Sequence, residues 1–300
     1  MTRLVHVSDL HLGPYFLPEV ADRLLDAVAG ADPDAIVASG DFTQRATSEE
    51  FADARRYLDK FPRAPLVVTP GNHDVPLYRV LERLFQPHRN YRRAIADELD
   101  YALSIDGATI VSIDSTAPRR AIVNGRISRW QLDRCDEWLA AAPGEHVRIV
   151  VAHHHFAPAP DYEGSDTLPG AKRALDRFAA SGVELILGGH LHRAYVGNSL
   201  DVYPGVRRDR GIVIAQSGTS TSRRGRARER EKNSFNVVDL CDETITITHW
   251  MHLESQSRFA PMSRHTFPRV GQSSLSPLSL SDADHTDSGG RYPEDEAATL

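Results

Sequence analysis

Leu4-Val5-His6-Val7-Ser8-Asp9-Leu10-His11 opens the chain with a short apolar run that stops at a serine and an Asp-x-His triplet. The run is rich in β-prone residues and suits a buried strand, and the change to Ser8-Asp9 marks its end. The same event recurs downstream. Ala35 to Ala38 leads into Gly40-Asp41, and Leu66 to Thr69 into Gly71-Asn72-His73-Asp74. Val147 to Val151 leads into His153-His154-His155, and Leu185 to Leu187 into Gly189-His190-Leu191-His192. Ile110 to Ile113 is one more apolar run of this kind. Amphipathic stretches separate them and predict helices over Pro18 to Ala29, Ser48 to Phe61, Leu77 to Leu99, Ser128 to Ala141 and Ala171 to Ala180. Strands alternating with helices predict a sheet covered by helices, and the C-terminal strand ends are where the loops of such sheets converge.

The clusters at those ends offer carboxylate, imidazole and amide oxygen but no thiolate, a donor set suited to Mn, Fe or Zn. Cys135 and Cys241 lie far apart without CxxC spacing, which argues against a disulfide framework and fits a reducing compartment. The 300 residues, 41% hydrophobic, suffice for one large α/β domain, and the net charge of −6 gives no support to bulk nucleic-acid binding. Charge arrives too early at the N-terminus for a signal peptide, and no apolar run approaches the roughly 20 residues that span a bilayer. A cytoplasmic location is expected.

The later chain changes character. Gly211 to Gln216, Ser234 to Leu240 and Thr244 to Met251 read as strands joined by turns, hence as antiparallel sheet. Beyond Glu254 the composition shifts to Ser, Asp, Pro and Gly, so residues 1–253 are expected to form the domain and 254–300 a disordered tail.

The five polar clusters, in this order and at strand ends, resemble the calcineurin-like metallophosphoesterase superfamily from about Arg3 to Met251. The resemblance implies an α/β four-layer αββα sandwich, two mixed sheets flanked by helices, holding two divalent or mixed-valence ions (Mn, Fe or Zn). It implies that Asp9, His11, Asp41 and His192 hold one metal. Asp41 would bridge to a second, held also by Asn72, His190 and one histidine of the 153–155 run. Aligning His-His-His-Phe to the family's HHHP selects His154, with His153 the competing choice; Phe156 departs from the usual proline. The implied chemistry is in-line attack on a phosphate ester by a metal-bridging hydroxide, with His73 protonating the leaving oxygen and Asp74 orienting that imidazole. Two divalent cations exceed the charge of Asp9 and Asp41, and the surplus suits an anionic phosphate.

Gly40-Asp41-Phe42-Thr43-Gln44-Arg45 departs from the GDxxDRG of phosphoprotein phosphatases at Gln44 and Ala46, and Asp74 stands where those enzymes have glutamate. The pattern is more similar to the bacterial cyclic-nucleotide (cyclic-AMP) phosphodiesterase branch, implying a small-molecule phosphodiester, a 3′,5′-cyclic nucleotide among them. The alternatives are a pyrophosphatase acting on a nucleotide-linked lipid of the UDP-diacylglucosamine type, or a non-catalytic scaffold. The retained ligands and acid-base histidine weigh against the scaffold. Arg45, at the family arginine's offset, and Arg223 and Arg224, in the basic stretch 223–232, are the candidates to bind substrate. No nucleic-acid partner is expected. Leu77, Val80, Leu81, Leu84 and Phe85 recur at helical spacing, so the cap-like segment 76–99 is expected to pack on the domain as an amphipathic helix. Its basic residues leave a peripheral membrane contact open. The remaining histidines, among them His6, His88 and His249, read as structural or surface groups.

Overall fold

Along β6 (Val147–Val151), Val147, Ile149 and Val151 enter one hydrophobic core while Val150 enters another. A strand that is apolar at consecutive positions must be covered on both faces, and two layers lie over it here. The computed structural model describes residues 1–120, 123–158, 167–204 and 211–269. The first sheet contains β1 (Thr2–Val7), β2 (Ala35–Ala38), β3 (Leu66–Val68), β10 (Ser234–Leu240), β11 (Thr244–Leu253) and β12 (Arg258–Pro268). Its order is β12-β11-β10-β1-β2-β3, with β1, β2 and β3 parallel and the rest antiparallel. The second adds β4 (Tyr101–Ile105), β5 (Ala108–Ser112), β7 (Val183–Gly188), β8 (Tyr195–Asn198) and β9 (Val213–Gln216) to β6, in the order β4-β5-β6-β7-β9-β8. Within it β5, β6, β7 and β9 are parallel, and β4 and β8 are antiparallel edges.

Leu4, Val37, Ile149, Leu185, Leu187 and Val238 fill the space between the sheets. Helices α1 (Pro18–Ala31) and α2 (Ser48–Leu58) cover the outer face of the first sheet through Leu24, Val28, Phe51 and Tyr57. Two short helices, α3 (Val80–Phe85) and α4 (Arg89–Ala94), follow on that side of the chain, and α4 is anchored by Tyr91. On the second sheet α5 (Arg129–Ala140) and α6 (Ala171–Ala180) bury Leu132, Leu139, Leu175 and Phe178. The result is the expected four-layer αββα sandwich of two mixed sheets. Thr47 and Ser128 start α2 and α5 with capping boxes, each side chain accepting from the amide three residues on.

Three expectations change. The helix expected over Leu77 to Leu99 is broken at Gln86-Pro87, where proline supplies no amide and disfavours helical backbone before it. Nor does its apolar stripe pack on the domain: α3 contains no buried residue, and Leu77, Val80, Leu81, Leu84 and Phe85 are exposed. Part of the tail expected from 254 is a strand, because Arg258–Pro268 pairs with β11 as the edge strand β12. The rest of that expected tail, residues 270–300, lies outside the described residues.

Candidate metal centre

Every cluster singled out in the sequence sits in a loop after a parallel strand, and all five loops meet at one end of the sandwich. The chain must turn sharply there. Asp9, His11, Asp41, His190 and His192 all take left-handed backbone with φ between 49° and 73°. Side-chain-bearing residues hold that conformation only where the surroundings enforce it. Gly71 is one such constraint, since a Cβ there would lie 2.2 Å from Asp41 Oδ1.

Asp9, His11, Asp41 and His192 form a buried group whose candidate donor atoms all lie within 4.8 Å of one another. His11 Nε2 is 3.6 Å from both Asp9 Oδ1 and Asp41 Oδ2, and His192 Nε2 is 3.1 Å from Asp9 Oδ1. The carboxylates are oriented one oxygen at a time. Asp9 Oδ2 accepts from Ser8 Oγ at 2.7 Å and from the His190 amide at 3.0 Å. Asp41 Oδ1 accepts from the His73 amide at 2.8 Å. The other oxygens, Asp9 Oδ1 and Asp41 Oδ2, are buried without a hydrogen-bond donor. A buried, ionised, unsatisfied oxygen is costly unless a cation meets it.

The imidazoles are prepared in the same way. Carbonyls only accept, so His11 Nδ1 donates to Thr43 O at 3.3 Å, His153 Nδ1 to Ser39 O at 2.7 Å and His192 Nδ1 to Arg224 O at 2.9 Å. Each ring therefore turns Nε2 toward the carboxylates, the arrangement that backs metal-binding histidines. A second group adjoins the first through Asp41: His153 Nε2 lies 3.5 Å from Asp41 Oδ2 and 3.2 Å from Asn72 Oδ1, while His190 Nδ1 lies 2.8 Å from the same Asn72 oxygen. Buried oxygens with imidazole and amide partners fit hard or borderline cations, as the donor types led one to expect.

The histidine expected in this second group was His154, and the structure brings His153 there instead. Along the extended backbone Val151 faces the core between the sheets and Ala152 the opposite core, so position 153 returns to the inner side. His154 stays beside the group without reaching Asp41: its Nδ1 is 2.8 Å from Ser115 Oγ, its ring centroid is 4.8 Å from that of His190, and its Nε2 is buried without a hydrogen-bond partner.

Charge follows this geometry. Burial opposes ionisation of Asp9, but His192 and His11 outweigh it and hold the carboxyl well below the usual range. Asp41 behaves likewise, with burial overcome chiefly by His153. Burial lowers His153, yet the Asp41 charge prevails and lifts it to about 9. Desolvation brings His11 down to about 4 and pushes His190 well below its ordinary value.

His73 stands beside the first group, its ring centroid 4.9 Å from that of His11. Asp74 was expected to orient this ring, but it does not. Both Asp74 oxygens accept from the amides of Phe42, Thr43 and Gly71 and from Thr43 Oγ1, tying two site loops together. Burial, then the Asp41 charge, raises Asp74 to about 7 against those donors. His73 is held by Gln44, whose carbonyl accepts from Nδ1 at 3.0 Å. Arg224 completes the arrangement: its Nη1 is 3.1 Å from His73 Nε2 and 2.8 Å from Gln44 Oε1, and its guanidinium lies over the Tyr15 ring. The other candidate arginines are not brought in. Arg223 is exposed and lines a separate cavity with Leu17 and Glu19. Arg45 is exposed, and among the described residues no hydrogen bond or ion pair ties its guanidinium to the group.

Several contributors carried no sequence signal beyond adjacency or none at all. Ser8 adjoins Asp9, but Thr219, whose Oγ1 donates to the Asp9 carbonyl at 2.7 Å, is 210 positions away. Glu229 closes the other side, accepting from the Ala194 amide and from Ser234 Oγ at 2.8 Å each.

The geometry agrees with three likenesses to known proteins. Over 262 residues the chain is 27% identical to a probable cyclic nucleotide phosphodiesterase of Rhodococcus erythropolis, covering 81% of each protein. Over 165 residues it is 28% identical to the 3′,5′-cyclic adenosine monophosphate phosphodiesterase CpdA of Escherichia coli, covering 53% of this chain and 54% of that one. A dimetal phosphatase from Danio rerio shares the fold, with a TM-score of 0.60 at 13% identity over 89% of this chain and 99% of the other. The pattern of the calcineurin-like phosphoesterases matches residues 2–194, most of the sandwich and every polar cluster named here, and to that family this chain belongs.

Proposed function

We propose that the protein is a phosphodiesterase working with two bound cations, of Mn, Fe or Zn type, on a small phosphodiester, a 3′,5′-cyclic nucleotide being the favoured class. One observation carries the two-cation reading: Asp41 Oδ2, buried without a donor, lies within 3.6 Å of His11 Nε2 in one group and 3.5 Å of His153 Nε2 in the other. Asp9, His11, Asp41 and His192 would hold one cation, and Asp41, Asn72, His153 and His190 the other. When bound, such a pair polarises the phosphate and acidifies the attacking water.

The chain's own groups supply the rest. His73 commits Nδ1 to the Gln44 carbonyl, and its Nε2, which accepts from Arg224 in the structure, would pass a proton to the leaving oxygen once Arg224 turns to the phosphate and the ring has gained a second proton. Arg224, next to that nitrogen, has the planar fork that grips two phosphate oxygens, and it takes the substrate role earlier shared with Arg45 and Arg223. The cyclic-nucleotide preference rests on the likeness to the Rhodococcus and Escherichia proteins. A cytoplasmic location suits such a substrate; among the described residues no helix is long and apolar enough to cross a membrane.

The test is a metal-reconstituted panel of aryl phosphodiesters, cyclic nucleotides, glycerophosphodiesters and UDP-linked lipids, run on the parent chain and Asp41→Asn. We expect phosphodiester cleavage with release of a nucleoside monophosphate from a cyclic nucleotide. Asp41→Asn should lose both cations together. Retention of both cations in that variant would remove the bridge, and turnover confined to UDP-linked lipids would replace the substrate class.

A further inference from the structure

The α3 ridge is anomalous because its exposed apolar residues are contiguous, whereas the other large ones exposed among the described residues, Met1, Tyr15, Val123, Trp130 and Met262, are scattered. In the ridge six crowd the nine positions from Leu77 to Phe85, all exposed, with Tyr78 at 78%, Leu81 at 74% and Phe85 at 74%. None belongs to any of the hydrophobic cores. Isolated exposed apolar side chains are ordinary, whereas a contiguous ridge marks a surface with a partner.

The charge around the ridge identifies that partner's chemistry. The whole chain carries a net charge of −6, yet residues 77–93 hold five arginines against one glutamate. That glutamate, Glu82, is already paired with Arg79 at 2.5 Å. Arg89, Arg92 and Arg93 are exposed, and so are Arg119 and Arg120, which line one open cleft with Arg92, Arg126 and Arg134, where arginines outnumber the acidic Glu98, Asp100 and Asp114. Arg119 is tied to the ridge itself, its Nε donating to the Leu84 carbonyl at 2.9 Å. A second copy of the chain is a poor fit, because a two-fold contact would set this cationic rim against its own image. An interfacial bilayer is a good fit: apolar side chains enter the acyl boundary while arginines meet lipid phosphates.

We propose that α3 and its arginine rim form a docking surface for an anionic lipid bilayer. Docking there sets the metal centre at the membrane surface, because the ridge is fixed to the site's rim. Arg79 donates to the Arg45 carbonyl at 3.2 Å and to the Ala46 carbonyl at 2.7 Å, in the same loop as the Gln44 that holds His73. Substrate reaching the centre from that side would be a phosphodiester held at or released near the bilayer.

The experiment is co-sedimentation of the full chain with phosphatidylcholine vesicles, with and without phosphatidylglycerol, at low and raised salt. We expect at least about tenfold stronger partition onto the anionic vesicles, weakening as salt screens the arginines. A Leu81→Asp/Phe85→Asp variant with the parent's melting temperature should lose that binding about tenfold or more, and so should Arg89→Glu/Arg93→Glu. Equal partition onto both vesicle types, or variants that bind like the parent, would overturn the docking surface. So would a concentration-dependent dimer that the Leu81→Asp/Phe85→Asp change abolishes while vesicle binding is nil, since the ridge would then belong to a second copy. No catalysis is read, so this result and that of the substrate panel stand or fall separately.

Discussion

His153 and His154 differ by one position and, although both rings lie beside His190, in the groups their nitrogens reach. His153 continues the inward side of β6 and reaches Asp41 and Asn72, whereas His154 turns to Ser115. If two cations bind as proposed, replacing His153 by Ala should remove one of them, read by metal analysis of the purified protein. His154→Ala should keep both and cost stability only, about 1–3 kcal/mol for the polar contact left unmade at Ser115. Two cations retained in His153→Ala would return the ligand to position 154. The same logic separates binding from proton transfer at His73. His73→Ala should lower turnover by about 10²–10⁴ with metal content unchanged, while Arg224→Gln should act mainly by raising KM. Steady-state kinetics beside metal analysis distinguishes the two. At this scale the chemistry was legible, since ligand types at strand ends are written in the chain. The register of three adjacent histidines was legible as well, had the alternation of Ile149, Val150 and Val151 been carried two residues further. The orienting partners were not, because Thr219 and the Gln44 carbonyl act through the backbone of distant segments.

Among the elements, buried strands declared themselves and edges did not. β1, β2, β6 and β7 are apolar at consecutive positions because both their faces are covered. β12, at the margin of the first sheet, is largely exposed and contains Arg258, Pro261, Arg264 and His265, composition that reads as loop but is usual for a guarded edge. The 77–99 segment misled in the opposite sense, since helical spacing of apolar residues says that a face exists without saying what covers it. β1 also carries a titrating group inside the fold. His6 is fully buried, its Nε2 2.9 Å from Ser39 Oγ, and desolvation lowers it to about 3. Above pH 6.5 the ring is neutral in both folded and unfolded chains and contributes no pH dependence. As pH falls from 6.5 toward 3, only the unfolded chain takes the proton, so stability declines across that window by about 1.4 kcal/mol per unit of pKa difference. Urea unfolding at pH 7 and pH 4.5 should show a smaller loss for His6→Asn than for the parent; equal losses would remove His6 as a source of acid sensitivity.

For the whole molecule, the centre is a joint between the sheets. Asp9, His11, Asp41 and Asn72 follow strands of the first, while His153, His190 and His192 follow strands of the second. A cation held from both sides would stabilise the assembled sandwich by its affinity for the folded chain alone, about 2.7 kcal/mol at a hundredfold excess over Kd. Chelation should therefore lower the melting temperature of the entire domain in one cooperative step, followed by calorimetry. A shift confined to a minor early transition would mean that the loops, and not the sheets, are what the cations hold.

That joint also has a place in time. Asp9 is made well before its partners: the His190 amide that steadies it comes 181 positions later and the Thr219 hydroxyl 210 positions later. Contacts so distant in the chain close late, after local strands and helices have found their partners. A nascent chain displaying only Asp9, His11 and Asp41 has half a centre, its carboxylates not yet turned and its second row of imidazoles not yet translated. Cations would thus be captured by a nearly finished fold, and a ribosome exposes Asp9 for 181 further residues before His190 exists.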